Sequence, residues 1–117
     1  MKYLLLMYGT ESDVPPEELQ ALWPAWMALL KEESAAGVLV SNGGLDPTAS
    51  ATTVRMRNGK TLTTDGPFAE THEQLGGYQL VECKDLDEAI KWAARIPTAK
   101  YGCIEVRPLW EPKPQGG

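Results

Sequence analysis

Residues 2 to 8 read Lys-Tyr-Leu-Leu-Leu-Met-Tyr, apolar at consecutive positions and not only at alternate ones. A strand of this kind hides both faces, which places it at the centre of a sheet covered on both sides. Everything after it must therefore supply neighbours and cover for one central strand.

The cover comes first. Pro15-Pro16-Glu17-Glu18 has the form of a helix start, with proline in the first turn and acids at the positive end of the dipole. Leu19, Leu22, Trp23, Trp26, Met27 and Leu30 follow at helical spacing as one apolar stripe. Pro24 is expected to kink or split that helix, because it removes a backbone donor, and Gly37 is expected to stop it. Residues 11 to 14 form a polar loop ahead of the helix.

The neighbours follow. Val38-Leu39-Val40 opens a second strand that runs to Asn42-Gly43-Gly44. Two runs, Thr52 to Arg57 and Lys60 to Thr64, flank Asn58-Gly59, a strong short-range hairpin signal. Gly77 to Cys83 is a further strand. Asp85-Leu86-Asp87-Glu88 is a capping box, and its helix is expected to bury Leu86, Ala89, Ile90 and Ala93 and to stop before Pro97. The last strand, Cys103 to Arg107, turns Ile104 and Val106 inward.

This order predicts an α+β fold: a ferredoxin-like β-α-β-β-α-β sheet with an inserted β-hairpin and both helices on one face. Its 117 residues fit a single domain over residues 1–110, with residues 111–117 as a mobile tail. The opposite face would leave Leu4, Leu6 and their neighbours bare, more apolar surface than a monomer exposes comfortably. A second copy laid face to face resolves this, so a homodimer is expected.

The net charge is −5. An acidic surface repels phosphate backbones and anionic lipid, which argues against nucleic acid and membrane partners. No apolar run approaches the roughly 20 residues of a membrane helix. Cys83 and Cys103 are expected on strands either side of the first, roughly 10 Å apart and beyond the ~7 Å Cα limit for a bridge. Both read as small reduced core residues of a cytoplasmic protein, and neither has metal-ligand spacing.

Chemistry concentrates in Asp65-Gly66-Pro67-Phe68-Ala69-Glu70-Thr71-His72-Glu73-Gln74-Leu75-Gly76-Gly77-Tyr78, which holds the only histidine and the only phenylalanine. Gly66 precedes proline and is pushed toward an extended conformation, which fixes the direction of Asp65. Asp65 then has two readings. It accepts hydrogen bonds from its own turn, which lowers its pKa, or it is a desolvated base with a raised one. His72 is either a solvated loop side chain or a partner in proton transfer. Phe68 is expected to plug the core, with ligand contact as its alternative. Tyr78, Arg55 and Trp26 are candidates for ligand contact, each with a packing or solvated-face alternative, and Trp92 is a second candidate pocket wall. A lone histidine is weak ground for a metal, and no phosphate-binding or nucleophile-elbow motif is present. No cofactor is expected.

Thr64-Asp65-Gly66-Pro67-Phe68-Ala69-Glu70-Thr71, followed by Glu73-Gln74-Leu75-Gly76-Gly77-Tyr78, resembles the signature of the DGPF branch of the YCII-related family. Further matches are Ala36 to Leu39, Thr53 to Arg55, Asp85 to Ala89, Trp92 to Ala94 and Ile104 to Pro108. The resemblance implies a dimeric α+β barrel in a bacterial cytoplasmic protein of mostly unassigned function. It also implies a possible regulatory partner, since genes for such proteins often accompany alternative sigma factors. Two departures matter. The DGPF pattern usually has lysine where this chain has His72. The wider family is thought to use a His–Asp pair with the histidine on the first helix, and residues 16 to 36 contain none. Asp65 and the Gly66-Pro67-Phe68 turn alone carry over. Three functions compete. One is a cofactor-free enzyme of small-molecule metabolism that moves a proton with Asp65, with or without His72. The second is a non-catalytic small-molecule-binding or regulatory module. The third is a subunit that binds a protein partner and no ligand.

Overall fold

In the computed structural model, which describes residues 1–11 and 14–112, the apolar run at the start forms β1 (Lys2–Gly9). Two helices follow, α1 (Pro16–Ala21) and α2 (Trp23–Ala35). Pro24 splits the expected helix in two and lies in the first turn of α2, where its missing N–H costs nothing. The remaining elements are β2 (Leu39–Gly44), β3 (Thr52–Arg57), β4 (Lys60–Asp65), β5 (Gln74–Glu82), α3 (Leu86–Ala93) and β6 (Gly102–Pro108). Ser12 and Asp13 of the expected polar loop, and residues 113–117 of the expected tail, lie outside the described residues.

The main sheet is antiparallel with order β2-β5-β1-β6. With the hairpin β3–β4 set aside, this is the ferredoxin-like order, with β1 central as its composition requires. Leu5 pairs with Gln79 on one side and Val106 on the other. That register puts Tyr3, Leu5, Val81 and Cys83 on the helix side, where they pack with Leu29, Val38, Ala89, Ala93 and Ile96 as the core. Ile104 and Val106 pack against this core, as their alternation predicts. Leu4, Leu6 and Tyr8 of β1 and Tyr78 and Leu80 of β5 point to the other face, on which no other element of the described residues packs.

Several side chains sit elsewhere than expected. Leu19, Trp23 and Met27 are exposed, and α2 buries Leu29 and Glu33 instead. α3 buries only Ala89 and Ala93, while Leu86 and Ile90 are exposed. An eight-residue helix presents one i, i+4 row to a sheet, and here that row is alanine. The capping box is real, with Asp85 Oδ1 accepting from the Glu88 amide at 2.9 Å, but the Glu88 carboxylate accepts from the Lys84 amide, one residue earlier than the motif prescribes. Cys83 is buried, whereas Cys103 is exposed because it points to the uncovered face at the sheet edge.

Asn58 and Gly59 have φ of 52° and 74°, the two left-handed residues of a type I′ turn. β3 and β4 pair only with each other. They extend as an arm whose Val54, Met56 and Leu62 are exposed. Phe68, expected in the core, is 76% exposed because the chain returning from the arm passes no core there. The outcome is a slab of 54 × 47 × 19 Å with a radius of gyration of 16.8 Å, against about 13 Å for a compact chain of this length. Among the described residues no helix is long and apolar enough to cross a membrane.

Candidate functional site

The part of the apolar stripe that the core does not use has another destination, shared by Trp26, which also packs against the core. Leu19 of α1 and Trp23, Trp26 and Leu30 of α2 roof a cavity of about 630 Å³ at one end of the sheet. Its walls are the end of β1 with the residues after it (Met7 to Glu11), the end of β2 (Asn42 to Pro47) and the start of β5 (Gln74 to Gln79). Thr98, Tyr101 and Gly102 close one side. The space exists because glycines cluster in the sheet here: Gly44 on β2 pairs with Gly77 on β5, flanked by Gly43 and Gly76. Long apolar side chains reach it from the helices, with Met7 and Leu75 lining it from the sheet. On the face away from the helices, a β-carbon on Gly43 would lie 2.9 Å from Tyr78 Cε1, so the Tyr78 ring occupies the room that this glycine leaves there.

Polar groups hold this frame. The Tyr101 hydroxyl donates to Glu18 Oε2 at 3.1 Å and ties the side wall to α1. Glu11 accepts from the Thr48 amide at 2.7 Å and from the Thr48 hydroxyl at 3.2 Å, while its own amide donates to Gln74 Oε1. Gln79, in the inner wall, donates from Nε2 to Glu33 Oε1 at 2.9 Å. Both residues are fully buried. Burial pushes the Glu33 carboxyl above its ordinary range, partly offset by the Gln79 donor. Three buried oxygens lack a partner among the described residues: Thr10 Oγ1, Gln79 Oε1 and Glu33 Oε2. Thr10 and Gln79 both line the cavity. Glu11 and Asp46 are its only charged residues among those described, so its field disfavours anions.

Two of the residues singled out in the sequence line this cavity: Trp26 and Tyr78. Asp65, His72, Phe68 and Arg55 do not. Asp65 ends β4 opposite Thr52 and is exposed; among the described residues its carboxylate accepts no hydrogen bond, including from the amides of residues 67 to 69. Its turn is held by backbone and side chains around it. The Gly66 amide donates to Ala51 O, the Thr53 hydroxyl donates to Gly66 O at 2.9 Å, and Arg55 Nη2 reaches Phe68 O at 3.4 Å. Gly66 has φ of 99°, open to glycine and strained for any other residue. His72 is an exposed side chain. Trp92 carries the Arg95 guanidinium 5.3 Å above its ring, and Arg95 also pairs with Glu32. These two residues belong to a separate hollow of about 430 Å³ along α3 whose walls are mainly charged.

Sequence reasoning passed over Glu33, Gln79 and Thr10. The first two carried a signal. Glu33 continues the row Leu22-Trp26-Leu29 at helical spacing, and Gln79 lies between Gly77 and Val81 on the inward row of β5. A polar residue on an inward row marks a buried pair.

A domain described as YCII-related matches residues 1–113. An uncharacterised protein of Rhizobium meliloti (strain 1021) is 40% identical over 119 residues, 97% of this chain and 96% of that relative. Among solved structures, the 5-chloro-2-hydroxyhydroquinone dehydrochlorinase of Burkholderia phenoliruptrix AC1100, in complex with 2,5-dihydroxybenzoquinone, aligns with a TM-score of 0.47 and 17% identity over 95% of this chain and 94% of its own. With a family match over nearly its whole length and a full-length relative, the chain belongs to the YCII-related family.

Proposed function

We propose that this protein binds a small, uncharged, largely apolar molecule in the cavity under α1 and α2. The observation that carries the reading is the lining itself. Trp23, Trp26, Leu19 and Leu30 face a sheet wall that includes Gly44 and Gly77, and two lining residues hold buried oxygens without partners among the described residues, Thr10 Oγ1 and Gln79 Oε1. A volume of about 630 Å³ is in the range that takes metabolite-sized ligands (roughly 300–1,000 Å³). Apolar walls supply affinity, and a few placed acceptors supply orientation. The rim carboxylates of Glu11 and Asp46 select against anions.

A binding or sensing module fits these features better than an Asp65-centred proton transfer, because within one chain the Asp65 carboxylate lies outside the cavity. A general base must reach the proton it takes, to about 3 Å or through one water.

Calorimetric titration with naphthol and with naphthoate tests the reading. Naphthol binds saturably, and naphthoate binds at least about tenfold more weakly, the factor expected from one unfavourable charge contact. Leu30→Trp fills the cavity and abolishes naphthol binding without lowering the melting temperature. Equal affinity for both probes, or binding that survives in Leu30→Trp, rules the reading out.

A further inference from the structure

A primary amide can meet a neighbour with its oxygen or with its nitrogen, and in a buried place the neighbour decides which. Gln79 sits on the inward row of β5, opposite Leu5 of β1, and is fully buried. The one hydrogen-bond partner of its side chain among the described residues is Glu33 on α2, whose Oε1 accepts from Nε2 at 2.9 Å. An ionised carboxylate accepts and cannot donate. Glu33 therefore takes the nitrogen end of the amide and leaves the oxygen end to the cavity that Gln79 lines.

That oxygen, Oε1, has no donor among the described residues, and Gln79 has no exposure to bulk water. A buried acceptor without a donor is unfavourable, and a ligand that brings a donor relieves it on binding. Other polar groups of the lining do not compete for this role. Gln74 Nε2 donates to Thr71 O and its Oε1 accepts from the Glu11 amide, while the Tyr101 hydroxyl donates to Glu18. Thr10 Oγ1 is unpartnered among the described residues, but a hydroxyl donates or accepts and imposes no polarity.

We infer that Gln79 sets the chemical class of the ligand: the cavity takes an apolar molecule bearing a hydroxyl, which donates to Gln79 Oε1, in preference to one bearing a carbonyl. Glu33 is a positioning residue that holds the amide in its accepting orientation. The inference rests on the reading of this cavity as a binding site and names the class of molecule within it.

Three probes of similar size test it: 2-naphthol, which donates, 2-methylnaphthalene, which does neither, and 2-naphthaldehyde, which only accepts. In nuclear magnetic resonance titrations of the wild type, 2-naphthol binds at least about tenfold more tightly than either of the others, as for one hydrogen bond to a buried acceptor. The aldehyde binds most weakly, because its oxygen meets another oxygen. The side-chain amide resonances of Gln79 shift with 2-naphthol by more than with 2-methylnaphthalene. In Glu33→Gln the neighbouring group both donates and accepts, so the Gln79 amide is free to turn, and the preference for hydroxyl over aldehyde narrows to within about threefold. The same variant keeps the wild-type affinity for 2-methylnaphthalene, which a general loosening of the cavity would not. Probes that bind in the cavity with equal affinity overturn the inference and leave the cavity reading standing. So do an aldehyde favoured over the alcohol, Gln79 side-chain resonances indifferent to the hydroxyl, and a preference unchanged in Glu33→Gln. Absence of saturable binding by all three overturns both.

Discussion

Gln79 Nε2 donates to Glu33 Oε1 at 2.9 Å, and this bond joins the cavity wall on β5 to a carboxyl buried beneath α2. It is the point where the frame of the site and the core of the fold are the same atoms. Among the described residues each partner keeps one oxygen without a donor, Glu33 Oε2 and Gln79 Oε1. A proton on Glu33 converts one of these acceptors into a donor.

Replacing one member of such a pair strands the other. Gln79→Leu is expected to cost about 3 kcal/mol at neutral pH, because it leaves a buried carboxyl without its hydrogen bond. Glu33→Gln keeps an acceptor for Gln79 and adds a donor, so its cost stays below about 1 kcal/mol. Urea denaturation of the two variants against wild type reads the difference.

The pH dependence follows with a definite sign. The folded-state pKa of Glu33 is raised, chiefly by burial, so the native state holds the proton more tightly than the unfolded chain. The stability that this group contributes is complete below the ordinary glutamate pKa of ~4.3 and is lost as pH rises through the raised folded value. Wild type should therefore lose stability relative to Glu33→Gln across that window and run parallel to it above. Paired urea curves from pH 4 to pH 8 check this; a gap that does not change with pH contradicts it.

Gly102 pairs with Gly9 where β6 begins, and a β-carbon there would lie 2.0 Å from the Tyr8 carbonyl oxygen. Backbone cannot yield as a side chain can. Gly102→Ala is expected to destabilise by about 3 kcal/mol, at the upper end for overpacking, and to loosen the side wall that Tyr101 ties to α1. Thermal melting checks the first effect, and proteolysis near Tyr101 the second.

The two cysteines should differ sharply. Burial, followed by the charge of Glu88, pushes the Cys83 thiol up to about 11, so it is both covered and protonated. Cys103 is exposed. Ellman's reagent under native conditions at pH 8 should label Cys103 alone, with Cys83 reacting only in denaturant. Labelling of both in the native state would show that β5 opens locally.

The fold was legible because its signals are local. Consecutive apolar residues made β1 central, Asn58-Gly59 set the hairpin, and Asp85 capped α3, each through a short-range rule that tertiary context did not override. The site was less legible, because a cavity is an absence. Trp23 and Leu19 have the same helical spacing whether they fill a core or roof a hollow, and only the glycines placed opposite them by strand pairing decide which. The Asp65 run is rich in special residues, but the chain carries its first half, Asp65 to His72, out with the arm, and only Gln74 to Tyr78 return to the end of the sheet where walls converge. Phe68 misled for the same reason: a lone phenylalanine reads as core until topology puts no core beside it.

The central claim is that the cavity under α1 and α2 receives a neutral ligand. Backbone amide chemical shifts, followed while naphthol is titrated into the labelled protein, test it most directly. Saturable changes confined to Met7 to Thr10, Asn42 to Leu45 and Gln74 to Gln79 are expected, with α3 unmoved. Changes centred on Asp65, Phe68 and His72, or along α3, would contradict it.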